Sequence, residues 1–366
     1  MIEELVIHIG DQKTGTTSIQ SALTHNAEAL RARGVLYPFT GKRINHRAEA
    51  MSLERGSPHA PRRDELWKRL ATAARKAPAG SVLCISSERF ELHDPRLLRA
   101  ALEEHMPAAL PRLRVAAYVR PHVARVTSSY AEAVKQGGSL GPAAAYYDSV
   151  MRRIPARFHF AQRFGAWRDV FGDALEVRLM HRAHLHGGDV VADFLKTALG
   201  GRAAIEDLDV ADDANASLTA EELATLRVLH AALRAERGHQ VAISKPFGWS
   251  MAPIFAAARA GGRKFALDRA LAERIARDCD EDARVMDAEF VTDAPVMREL
   301  LRAAPAAAAS EALDAAPESV LGAEEVGRLS ALGEALRLTF AGEAPWQSNP
   351  AREAPFERPF RPPSAG

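Results

Sequence analysis

Cysteine is the scarcest residue in this chain: two in 366 positions, Cys84 and Cys279, far apart and outside any C-x-x-C or metal-ligand spacing. That excludes a disulfide framework and a thiolate metal site, and it suits a reducing compartment with both thiols packed as small core residues. Net charge is nearly absent as well. A formal +1, from 48 basic and 47 acidic residues, cannot supply the broad basic field that nucleic-acid binding draws on, so an anionic partner has to be small and caught by local groups. No apolar run approaches the ~18 residues of a spanning helix. The N-terminus, MIEELVIHIG, is acidic, lacks a cleavage site and leads straight into an apolar run. The expectation is a cytoplasmic protein with no transmembrane segment.

What is present, 47% hydrophobic residues over 366 positions, is enough for a sizeable core. Short apolar runs at 5–10, 35–39, 81–86, 113–119 and 175–180 alternate with segments of helical periodicity at 16–33, 65–76, 94–104, 123–135, 154–171, 189–199, 219–237 and 268–290. Continuous apolar strands alternating with helices predict an α/β fold with a parallel sheet flanked by helices and a helical C-terminal part. The polar stretch 41–63 reads as a loop or short helical excursion. Residues 1–300 are expected to form the α/β domain. Residues 301–366 are expected to form an Ala/Pro-rich tail with one helix near 318–338 and partial disorder.

The stretch GDQKTGTTS, Gly10 to Ser18, lies between the first strand and the first helix. It has the glycine spacing of a phosphate-binding P-loop, with Thr17 in the hydroxyl position, but Thr16 stands where a nucleotide hydrolase carries its lysine. Lys13, in mid-loop, is the nearby cation. A strand ending at Gly10 and a helix starting near Thr16 gather unpaired N–H groups and the positive end of a helix dipole, which favours an anion there. Asp11 sits awkwardly beside such a ligand unless its side chain turns outward or caps a neighbouring N–H.

KTGTTS after an N-terminal strand resembles the 5′-phosphosulfate loop of bacterial sulfotransferases that use 3′-phosphoadenosine 5′-phosphosulfate (PAPS). The resemblance implies a P-loop-type sheet and a sulfuryl donor, with no metal. Lys13 would face the oxygen bridging phosphate and sulfate, and Thr14, Gly15, Thr16, Thr17 and Ser18 would hold the phosphosulfate. A second match lies in AAYVRPHVARVTSSY, where Arg120 ends a strand and Ser128 follows eight positions on. By resemblance these bind the 3′-phosphate, for which a guanidinium fork is suited. GVLYP, SSERF and HGGDVVADFL extend the likeness over residues 4–200. Arg263 and Lys264, in GGRKF, read as a solvated basic turn.

The resemblance implies a hydroxyl acceptor, a carbohydrate, lipid or small molecule, and a general base drawn from the loops after the second or third strand. His46, taken as a solvent-reachable imidazole, and Glu88 both stand for that role. Lys135 reads as an exposed helix-end lysine, and the stripe Phe160, Phe164 and Trp167 as core. Two other readings stay open: an ATP- or GTP-dependent kinase or hydrolase, opposed by the missing lysine and by a strand ending Ser-Ser-Glu, and a noncatalytic nucleotide-binding protein.

Overall fold

The computed structural model describes residues 2–38, 44–210, 217–234, 241–310, 313 and 316–341. Residues 39–43 of the second expected strand and the polar stretch, 235–237 of an expected helix, and the Pro-rich end from 342 lie outside them. Among the described residues, no helix is long and apolar enough to cross a membrane.

Strand β1 (Glu4–His8) leads through a tight loop into α1 (Thr16–His25) and α2 (Ala27–Ala32). One continuous helix was the expectation, but the side chain of Asn26 donates to the carbonyls of Ala22 and Asp209, both at 2.9 Å, and the axis breaks there. A two-residue β2 (Val35–Leu36), α3 (Arg47–Met51) and α4 (Arg63–Lys76) follow, then β3 (Val82–Ser86) and α5 (Pro95–His105). Next come β4 (Leu113–Val119), α6 (His122–Lys135), α7 (Ala143–Arg153), α8 (Phe160–Phe171), β5 (Leu175–Leu179) and α9 (Val190–Thr197).

The five strands are parallel, in the order β2-β3-β1-β4-β5. Alternate residues feed opposite faces, as period-2 geometry requires. Leu5, Ile7, Leu83, Ile85, Val115 and Ala117 pack on one side, with Trp67, Leu98, Phe160 and Trp167. Val6, Cys84, Ala116 and Tyr118 pack on the other, with Ile19, Leu23, Val191 and Phe194. The chain therefore forms an α/β fold whose parallel sheet is covered on both faces. From β1 the connection runs to the β2 edge, and from β4 it runs the opposite way to β5. The C-terminal ends of β1 and β4 thus form the switch point at which open α/β sheets place a ligand crevice.

The remainder is helical: α10 (Ala220–Leu233), α11 (Val241–Ala258), α12 (Arg269–Asp278), α13 (Asp280–Glu289), α14 (Met297–Ala303), α15 (Pro317–Leu321) and α16 (Ala323–Ala341). The expected helix over 268–290 is interrupted at Cys279, which is fully buried. Met297 and Leu301 of α14 are buried in the larger core cluster.

Candidate functional site

The β1–β4 ladder continues past the end of β1. The amide of Asp11 donates to the Tyr118 carbonyl at 3.0 Å, and that of Tyr118 to the Gly10 carbonyl at 2.8 Å. Lys13 and Arg120 each lie two residues beyond these bonds, so the loop and the Arg120 segment leave the sheet side by side. Lys13 takes a left-handed φ of 65° and Gly15 one of 79°. A Cβ on Gly15 would lie 2.6 Å from Cγ1 of Val190 on α9, so a larger residue would have to push Val190 aside. Gly15 caps α1, whose first turn has neither a side-chain cap nor an acidic residue. Its amide dipoles therefore face an environment with no negative group from the helix itself.

Asp11 points away from the mouth of the loop. It is fully buried, accepts the Gln12 amide at 2.7 Å and pairs with Arg125 at 2.9 Å and Arg163 at 3.1 Å. The same two guanidiniums reach Glu91, at 2.9 and 2.8 Å. Burial opposes the charge on Asp11, yet Arg125 and Arg163 hold its carboxyl far below the usual range. For Glu91 burial comes first and the charge of Asp11 adds to it, pushing this carboxyl up to about 7 against the pull of the arginines. Of the two postures open to Asp11, capping an N–H is the one observed. The clamp around it, Glu91, Arg125 and Arg163, is not visible in local sequence patterns.

Among the loop hydroxyls, Thr14 is buried and donates to the Asp11 carbonyl at 2.6 Å, and Thr16 donates to Glu88 Oε2 at 3.2 Å. Thr17 is exposed and Ser18 half-buried. Lys13 Nζ lies 3.2 Å from Glu132 Oε2 on α6, an oxygen that Lys135 Nζ approaches to 2.7 Å. Lys135 is thus a paired, partly covered lysine, not a free helix end. Arg120 is half-buried, and no hydrogen bond or ion pair to it is found among the described residues. Burial, then neighbouring Arg125, pulls its pKa down. Ser128, half-buried on α6, lies one helical turn before Glu132.

Glu88 is half-buried at the C-terminal end of β3, against the loop: a Cβ on Gly10 would lie 3.2 Å from Glu88 Cα. His46 differs from expectation. It is fully buried, with Nδ1 accepting the Ser86 amide at 3.1 Å and Nε2–H donating to the Pro38 carbonyl at 3.0 Å. The Tyr37 ring meets it edge-on at 4.9 Å, and burial lowers its pKa. Both ring nitrogens are engaged, so the imidazole is not solvent-reachable; it ties the end of β3 to the segment before α3. Ser86 is also internal, its hydroxyl 2.9 Å from His8 Nδ1 and accepting from Gln20 at 3.1 Å. The Ser87 hydroxyl accepts the Arg89 amide at 3.2 Å. Arg263 pairs with Glu221 at 2.7 Å.

A surface depression lies at the other end of the sheet, between Glu3, Glu4, Arg112, Arg114, Asp173 and Glu176. Its charges pair internally, as in Arg114–Glu4 at 3.1 Å, and it adjoins the N-terminal ends of the strands. The switch-point edge is the better-founded site. Comparison with family models, curated proteins and solved structures finds no match.

Proposed function

We propose that this chain is a PAPS-dependent sulfotransferase of the P-loop type, moving a sulfuryl group to a hydroxyl acceptor by in-line displacement. The observation that carries the reading is the paired exit of two cation-bearing segments from the central strands β1 and β4, one ending on Lys13 and the other on Arg120. A half-buried guanidinium with no hydrogen bond or ion pair among the described residues suits an anionic ligand group, because desolvating a charge is costly unless something pairs with it. The uncapped start of α1 supports a second anion site, over the loop. The residues therefore fit a nucleotide with two separated anionic ends, and the donor, when bound, would supply the sulfuryl group.

In this reading residues 13–18 hold the phosphosulfate end, and Arg120 with Ser128 the 3′-phosphate. Lys13 faces the charge that grows on the leaving oxygen, which favours the transition state over the ground state. Glu88, at the mouth beside the loop, takes the acceptor proton in preference to the enclosed His46. Asp11 adds no charge at the mouth because Arg125 and Arg163 neutralise it from behind.

Calorimetry with adenosine 3′,5′-bisphosphate, set against ATP with Mg²⁺, tests the site. The bisphosphate should bind preferentially, and Arg120→Met should weaken it by about 1.5–3 kcal/mol, the worth of a lost charged contact. Preference for ATP would overturn the reading in favour of a kinase or hydrolase. Transfer of labelled sulfate from PAPS to acceptors in a cell extract tests the chemistry. Binding without transfer would mark a noncatalytic nucleotide-binding protein.

A further inference from the structure

We infer that Glu132 is the resident counter-ion of Lys13, and that an anionic ligand displaces it, leaving the carboxylate to Lys135. The inference rests on the reading of the loop as an anion site. Glu132 reaches across from α6 to the loop. Its Oε2 is shared by Lys13 at 3.2 Å and Lys135 at 2.7 Å, and its Oε1 accepts from Gln136 at 2.6 Å. The sharing is unequal: Lys13 holds the longer contact and has the more exposed side chain, 35% against 20% for Lys135. If Lys13 turns to a ligand, Glu132 keeps two donors and is not stranded as an unpaired charge, so release costs little. Burial works against the charge on Glu132, but Lys13, Lys135 and Gln136 outweigh it and hold the carboxyl at about 2. The carboxylate is therefore ionised throughout the neutral range, and it competes with any anion for Lys13.

Glu132→Gln keeps the side-chain shape and removes the competing charge. Two measurements read the result, each with thermal melting as a check that the fold is kept. The first is the rate of Lys13 acylation by an amine-reactive ester at one fixed pH, followed by peptide mass spectrometry. Freed of the ion pair, the Lys13 amine should be acylated faster. The second is calorimetry with adenosine 3′,5′-bisphosphate, where the variant should bind about fivefold more tightly, the scale of one partly exposed ion pair. An unchanged acylation rate, or equal or weaker bisphosphate binding by the variant while the wild type binds, would overturn the counter-ion exchange alone. No bisphosphate binding by either protein would overturn the anion-site reading, and the exchange with it.

Discussion

Replacing Arg163 by Met tests whether the clamp behind the loop is electrostatic. The side chain is 5% exposed and contributes contacts of 3.1 Å to Asp11 and 2.8 Å to Glu91, with its guanidinium carbon 4.7 Å from the centre of the Phe164 ring. Methionine restores most of the apolar packing but leaves Arg125 alone to neutralise two buried carboxylates. Removing one partner of a buried pair costs about 3–5 kcal/mol. The variant has one escape, because Glu91, already raised to about 7, can stay protonated. Holding that proton above the wild-type pKa costs about 1.4 kcal/mol per pH unit. The destabilisation should therefore approach ~4 kcal/mol at pH 8 and fall by ~1–2 kcal/mol at pH 6. Urea unfolding at both pH values, followed by fluorescence of the buried Trp167 one turn along α8, reads this directly. A loss within the ~0.5 kcal/mol of an ordinary surface substitution, or one equal at the two pH values, would refute the clamp.

Three further outcomes follow from the same geometry. Because Glu91 is raised in the folded state, the native protein holds a proton that the unfolded chain has released between the ordinary glutamate value of 4.5 and about 7; stability should fall across that window, and Glu91→Gln should flatten the slope in a pH series of unfolding midpoints. Gly15→Ala should cost about 1–3 kcal/mol by thermal melting, since it combines a φ of 79° with a Cβ 2.6 Å from Val190; Val190→Ala in the same chain should recover only the steric part, and full recovery would show that the backbone conformation does not matter. Arg120→Met should leave the melting temperature unchanged or higher, because a half-buried charge with no hydrogen bond or ion pair among the described residues is lost; a drop of several degrees would assign Arg120 a structural role.

The sheet was legible because parallel strands buried on both faces read as unbroken apolar runs. LRVAAYV predicts 113–119, and β4 is Leu113–Val119. Helix boundaries set by distant partners were not legible. The break at Asn26 depends on the Asp209 carbonyl 183 residues away. Helix α11 contains Pro246 and Pro253, which a local reading takes as breakers. It nevertheless packs so closely on α6 that a Cβ on Gly248 would overlap the Lys135 carbonyl. The site divides the same way. The residues of the loop are contiguous, so their pattern is visible, whereas Asp11 meets its partners 114 and 152 residues further on, at Arg125 and Arg163. His46 misled because a polar loop suggests exposure. Its reciprocal bonds with the backbone of Ser86, 40 residues later, draw it inside.

Helix α6 connects these observations. Arg125 and Ser129 are four residues apart and hydrogen-bonded to each other, on the side that faces Asp11. Ser128, Glu132 and Lys135 follow one another at spacings of four and three, forming a second stripe. At 100° per residue, Arg125 and Ser128 differ by 300°, so the two stripes lie only about 60° apart on the cylinder. One rigid element thus grips the loop from behind through Asp11 and from the mouth through Lys13. The segment carrying Arg120 runs directly into that helix. Any shift of α6 along its axis would move the clamp, the counter-ion of Lys13 and the Arg120 end together. The grip through Asp11 and Arg125 does not involve Lys13, so it would still tie the loop to α6, and to the Arg120 segment that leads into it, if Lys13 left Glu132.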